Sequence, residues 1–139
     1  MVYVDTSVLV PMFTKEPESE RVMCWYASCI DEIASAVLCV TEFASALGIK
    51  QRTGQIDTAS AQAAWQQFER FCANDLQLMP VEFATFNRAA AMTLDASTGL
   101  RAGDSLHLAA ALEINAKSIA TLDGVLAKNA QRVNLALVL

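Results

Sequence analysis

Asp5, Glu42, Asp104 and Asp123 each sit where a predicted strand gives way to a helix. Asp5 follows Val2-Tyr3-Val4, Glu42 comes shortly after the run from Ile33 to Leu38, Asp104 opens the apolar stretch to Leu112, and Asp123 follows Ile119-Ala120-Thr121-Leu122. In an open parallel sheet the carboxyl ends of the strands share one edge, so residues at strand-to-helix junctions converge although they are distant in sequence. Converged carboxylates repel one another, and a hard divalent cation relieves that repulsion. The placement therefore predicts a metal-dependent enzyme.

Each residue also has a plainer reading. Asp123 before Gly124 fits a helix N-cap, and Asp5 could cap in the same way. Glu42 fits a solvated residue complementing the dipole of a helix start. Asp104 fits such a role less well, because its neighbours are apolar and an unpaired charge among them would be costly. His107 lies three residues beyond Asp104, so the imidazole could bond that carboxylate. It nevertheless reads as a structural histidine, since the chain has no second one to serve as base or ligand. Arg101 reads equally as a partner for the acids or for phosphate and as a surface arginine.

The elements that must position these groups follow from periodicity. Residues 2–4, extended by Val8-Leu9-Val10, read as a buried strand turning into a short helix. Val22, Trp25, Tyr26 and Cys29 recur at helical spacing and predict a helix over 18–30. A strand at 33–38 leads through Val40, Phe43, Ala44 and Leu47 into a helix ending near Thr53-Gly54. The clearest amphipathic pattern covers 57–73, where Trp65, Phe68 and Phe71 fall at core spacing and read as packing or dimer contacts. Leu76 to Val81 predicts a strand that Pro80 confines to an edge or to its own end. Helix over 82–97, a buried helix over 103–116, a strand over 118–122, a short helix over 123–130 and a last strand over 135–139 complete the order. Strands alternate with helices throughout. This predicts one α/β domain over 1–139, a three-layer α/β/α fold with a mainly parallel central sheet.

Composition narrows the function. With 139 residues, 54% of them apolar, the chain can fill a single core and leave apolar surface for a partner, and a homodimer is the expected assembly. A net charge of -5 argues against a DNA reader, which carries a basic patch. Cys24, Cys29, Cys39 and Cys72 form no C-x-x-C pair and read as reduced core residues. Neither a signal-peptide pattern nor an apolar run of ~18 residues is evident, which predicts a cytoplasmic protein.

VDTSVLV at 4–10, TEFASAL at 41–47, LRAGDSLHLAAAL at 100–112 and TLDGVLAKNA at 121–130 resemble, in order and spacing, the PIN-domain family, and in size the VapC ribonuclease toxins of toxin-antitoxin pairs. The resemblance implies that Asp5, Glu42, Asp104 and Asp123 form an acidic cluster binding Mg²⁺ or Mn²⁺ for hydrolysis of RNA phosphodiesters. It further implies a VapB-like antitoxin partner, expected to lay an apolar helix between the early helices and to direct a basic side chain at the acids. Thr6 and Ser7 match small hydroxyl residues beside the first acid, and Thr121 matches one before the last. Ser105 stands where an alanine is common, and no further acid lies within 124–132, which weakens the case for a second metal ion.

Within that frame Asp5 and Asp104 are the expected metal ligands, Asp123 is a third, and Glu42 holds or deprotonates the attacking water. Thr6, Ser7 and Arg101 are the candidate substrate contacts. Attack by water leaves a 5′-phosphate. Two rivals stand beside this reading. One is a catalytically silent PIN-like interaction module, whose acids serve as caps. The other, a hydrolase of small phosphoesters, suits the chain less well because Asp5-Thr6-Ser7 lacks an Asp-x-Asp pair.

Overall fold

The computed structural model describes residues 1–139. β1 (Val2–Val4) leads into α1 (Thr6–Phe13) and α2 (Ser19–Ser28), then β2 (Ile33–Ala36), α3 (Leu38–Arg52), α4 (Thr58–Asn74) and β3 (Leu76–Met79). α5 (Phe83–Leu94), a 3-10 turn at Ala96–Thr98, α6 (Ala102–Glu113), β4 (Ser118–Ala120), α7 (Gly124–Arg132) and β5 (Ala136–Leu137) follow. The five strands pair wholly in parallel, in the order β3-β2-β1-β4-β5, and helices cover both faces.

From β1 the chain builds outward to β2 and β3, then crosses back to lay β4 on the other side of β1. The connections thus diverge between β1 and β4, and a crevice opens there beyond the carboxyl ends of the strands. Asp5 ends β1 and Thr121 ends β4, the two strands running in register from Val2 and Ser118 to Val4 and Ala120. The first and last acids are therefore neighbours by topology.

Alternation along β1 divides the core. Val2 and Val4 face α1, α3 and α4, while Tyr3 faces the layer of α6 and α7. The first layer is aromatic: Phe43 stacks on Phe68 with ring centroids 4.1 Å apart, and Phe13 meets both rings edge-on. The second is built from small residues. Ala109, Ala110 and Ala111 bring α6 close to the sheet and are buried with Leu108, whereas Leu106 and Leu112 are half-buried, so the helix is not enclosed all round as the sequence predicts.

Several elements depart from expectation. Val8-Leu9-Val10 belong to α1 rather than extending β1, because a short apolar run buried on all sides looks alike in strand and helix. β2 ends at Ala36, β3 at Met79 and β4 at Ala120, and the last strand keeps only Ala136–Leu137, where pairing with β4 persists. Helix α5 stops at Leu94, twelve residues long, where Asp95 begins the 3-10 turn and accepts from Ser97 N–H. Pro80 lies just past β3, itself an edge strand, as its missing N–H requires. Of the cysteines only Cys39 is in the core; Cys24 is exposed because it lies on the outer face of α2. No helix is long and apolar enough to cross a membrane.

Candidate active site

All four predicted acids line one open cavity of about 300 Å³ at the carboxyl edge of the sheet, together with Thr6, Ser7 and His107. Asp5 comes from the end of β1, Glu42 from the second turn of α3, Asp104 from the first turn of α6 and Asp123 from the residue before α7. Each carboxylate ties one oxygen to the scaffold and leaves the other without a hydrogen bond.

Asp5 occupies the N-cap position of α1 but does not cap it. Its Oδ2 accepts from Ser7 Oγ at 2.5 Å and from Thr121 Oγ1 at 2.9 Å. Those hydroxyls accept in turn from Leu122 N–H and Asp123 N–H, so backbone donors beyond β4 are passed through two side chains onto one carboxylate oxygen. Thr6 donates to Glu42 Oε2. The small hydroxyl residues at 6, 7 and 121 are thus orienting groups for the acids.

Asp104 Oδ2 accepts from the backbone N–H of Arg101 at 3.2 Å, and Asp123 Oδ1 accepts from Leu126 N–H at 2.7 Å. These are helix-start bonds of the expected kind. Capping and facing the cavity are therefore not alternatives, since a carboxylate has an oxygen for each. Arg101 itself is exposed and forms no ion pair, so its side chain does not neutralise the cluster.

His107 departs from the expectation of a bond to Asp104. One face of α6 does carry both residues, but the ring is buried beneath the cavity and its Nε2 lies 2.6 Å from Glu42 Oε2 and 3.5 Å from Asp5 Oδ1. Asp104 is turned instead to its own helix start. Burial acts to lower the basicity of His107, but the Glu42 hydrogen bond and the charges of Asp5, Glu42 and Asp104 outweigh it and raise the pKa above its usual value. Burial raises the Glu42 pKa, and the bonds and charge from His107 with the Thr6 hydroxyl reverse this, holding the carboxyl below its ordinary range. Asp104 moves the other way. Desolvation, aided by the charges of Asp123 and Asp5, raises its pKa against the opposing Arg101 N–H.

No Lys or Arg side chain forms an ion pair with any of the four acids. Lys50 of α3 is buried against Glu16 at 2.6 Å. Asp5, Glu42 and His107 can bring ligand atoms within 4.8 Å of one another, and Asp104 and Asp123 add carboxylates at the rim. A donor set dominated by carboxylate oxygens, with excess negative charge and an open side, fits Mg²⁺ or Mn²⁺ rather than a thiolate-seeking metal.

Two residues escaped the sequence reading. Tyr3 packs edge-on to the His107 ring and bonds it, and its signal was a phenol inside a fully buried three-residue strand, where the hydroxyl needs a partner. Gly103 precedes Asp104, and a Cβ there would stand 2.8 Å from Glu42 Oε1. A glycine in the first turn of a buried helix marks such a close approach.

The family model described as PIN domain matches residues 2–131. No curated protein sequence matches the chain. Among solved structures, the chain is similar to VapC20 of Mycobacterium tuberculosis, a toxin that cleaves the sarcin-ricin loop, with a TM-score of 0.76 and 13% identity over 93% of this chain and 95% of that one. It is also similar to FitAcB from Neisseria gonorrhoeae, with a TM-score of 0.74 and 19% identity over 99% of this chain and 96% of that one. VapBC2 from Rickettsia felis, bound to a DNA fragment from the promoter, gives a TM-score of 0.64 and 18% identity over 99% of this chain and 97% of that one.

Proposed function

Because the chain belongs to the PIN domain family, we propose that it is a divalent-metal-dependent endoribonuclease and the toxin of a VapBC-type pair. The observation that carries this reading is the set of four carboxylates lining a shared cavity, each with one oxygen fixed by the scaffold and one without a hydrogen bond. Asp5, Asp104 and Asp123 would hold Mg²⁺ or Mn²⁺, and Glu42 would orient the water. A bound cation supplies Lewis acidity and neutralises the charge that builds on the phosphodiester during attack. The chain supplies the positioning: Ser7 and Thr121 fix Asp5, the starts of α6 and α7 fix Asp104 and Asp123, and Thr6 with His107 fixes Glu42. With a net charge of -5, RNA is held through the cation and local contacts, so affinity depends on the metal.

Incubation of the purified protein with total RNA, with and without Mg²⁺, tests the reading. Cleavage should require the metal, leave 5′-phosphates, and fall by at least ~100-fold in Asp5→Asn, whereas losing a residue that only supports a ligand can cost as little as ~10-fold. A protein that neither cleaves RNA nor gains thermal stability with Mg²⁺ is a silent interaction module instead.

Two surfaces support the partners. Between α3 and α4 a groove of about 650 Å³ is lined by Leu47, Ala61 and Trp65 among polar side chains, and suits an amphipathic antitoxin helix. Helix α3 also carries Glu42 and Ile49 to the acid cavity, so a basic residue beyond that helix would reach the acids. On the other side, Phe83, Phe86 and Leu94 of α5 are exposed at 80%, 51% and 87%, which supports a homodimer through the α5–α6 face. Co-expression with a VapB-like antitoxin should suppress cleavage. Phe86→Arg should shift the protein to a monomer in size-exclusion chromatography.

A further inference from the structure

His107 is enclosed by the fold at 1% exposure, yet both of its ring nitrogens are engaged. Nδ1 lies 2.7 Å from Tyr3 Oη and Nε2 lies 2.6 Å from Glu42 Oε2. The donors and acceptors present suit one direction for each bond. Tyr3 Oη accepts the backbone N–H of Ala36 at 3.0 Å, so its own hydrogen is available to Nδ1. An ionised Glu42 can only accept. A neutral imidazole that accepts from Tyr3 carries its hydrogen on Nε2, and a protonated one carries a hydrogen on each nitrogen. In both states His107 donates to Glu42.

A ring that coordinated a cation through Nε2 could not make that bond, because the nitrogen that binds a metal has no hydrogen. A bond donated by Tyr3, on the strand beneath, would therefore keep His107 out of the ligand set. The remainder of the Glu42 environment agrees. Thr6 donates to the same Oε2, while Gly103 leaves room for Oε1, where a Cβ would stand at 2.8 Å. One carboxylate oxygen is pinned by two donors and the other is kept free at the cavity wall.

We propose that Tyr3 and His107 form a positioning relay that fixes Glu42, running from the Ala36 backbone through the phenol and the imidazole to the carboxylate, and that His107 is not a metal ligand. The inference rests on the nuclease reading for its effect on cleavage, whereas the position of the ring hydrogen is tested without it. The chain has a single histidine, so the imidazole ¹⁵N resonances belong to one ring.

The experiment has two arms on the full-length protein. In the first, ¹⁵N NMR at alkaline pH should show wild-type His107 with its hydrogen on Nε2, unchanged by added Mg²⁺, and Tyr3→Phe should give mixed tautomers. In the second, RNA cleavage by folded variants should show kcat reduced roughly 10-fold in Tyr3→Phe and His107→Asn, within the range for groups that orient a metal-site residue, with KM and the Mg²⁺-induced rise in Tm unchanged. His107→Gln, whose amide nitrogen reaches toward the position of Nε2, should recover part of that loss. A wild-type ring protonated only on Nδ1, an Nε2 that loses its hydrogen when Mg²⁺ is added, or wild-type kcat in Tyr3→Phe would overturn the relay. Absence of metal-dependent cleavage in the wild-type protein would overturn the nuclease reading, and the NMR arm would still decide the tautomer.

Discussion

Glu42 and Phe43 are consecutive on α3 and lie in opposite kinds of surroundings. Phe43 is wholly buried, stacked on Phe68 and met edge-on by Phe13, with every neighbour supplied by the chain itself. Glu42 looks into a cavity where three more carboxylates converge and no ion-pairing Lys or Arg answers them. A helix turns about 100° per residue, so one step along it passes from a completed environment to an incomplete one. The aromatic layer stabilises the fold without outside help. The acid cavity carries an excess of negative charge that a bound divalent cation would reduce.

The largest effect belongs to the completed side. Phe43→Ala removes the ring at the centre of the aromatic layer and should cost about 3–5 kcal/mol, the range for deleting a buried phenylalanine. Urea unfolding would measure it. Because the cavity draws its order from hydrogen bonds at the strand ends, protein of this variant that remains folded should still gain stability on adding Mg²⁺. A variant that unfolds at the wild-type urea midpoint would show that the aromatic layer is not the mainstay assumed here.

This contrast also marks how far the sequence could be read. Alternating strand and helix patterns placed Asp5 and Asp123 on the sheet edge, because parallel order leaves little freedom in where strand ends fall. Asp104, expected at such a junction too, instead follows α5 and the 3-10 turn, and it and Glu42 in the second turn of α3 are brought to the cavity by their helices. Element ends were less legible. Val8-Leu9-Val10 carries the same apolar signal for a strand as for a fully buried helix, and only the packing of α1 against α3 and α4 decides between them. The partner of His107 was hidden for a different reason. Spacing along α6 named Asp104, the neighbour on its own helix, whereas the bond goes to Glu42 on α3, 65 residues away in sequence. Tyr3 and Gly103 likewise gain meaning only from contacts between elements.

The next effect tests the open side. If Mg²⁺ binds the cavity, a concentration 100 times its Kd should stabilise the folded protein by about 2.7 kcal/mol. Asp104→Asn should lose most of that gain. Its amide oxygen can still accept from Arg101 N–H, so α6 should start as before, and removal of one charge should raise metal-free stability by up to ~1 kcal/mol, the ceiling for exposed charge pairs. Thermal melts with and without Mg²⁺ would show the two changes in opposite directions. Equal Mg²⁺ stabilisation in the variant and the wild type would remove Asp104 from the metal-binding set.

The smallest effect is in the pH dependence of the metal-free protein. Desolvation and the charges of Asp123 and Asp5 raise the Asp104 pKa above its ordinary 3.8, so the folded state holds this proton more tightly than the unfolded chain does. The Asp104 contribution to stability is therefore greatest below that ordinary value and is lost as pH rises through the raised one. Glu42, with its pKa lowered from 4.5, has the opposite sign: its contribution is present above that value and fades as pH falls through the lowered one. Comparing urea midpoints of wild-type protein and Asp104→Asn across the acidic range isolates the first contribution, because Glu42 is common to both. The gap between them should widen in favour of the variant as pH rises, and Mg²⁺ should reverse it. Parallel curves would mean that the acids do not repel one another across the cavity, and the contrast between Glu42 and Phe43 would lose its electrostatic half.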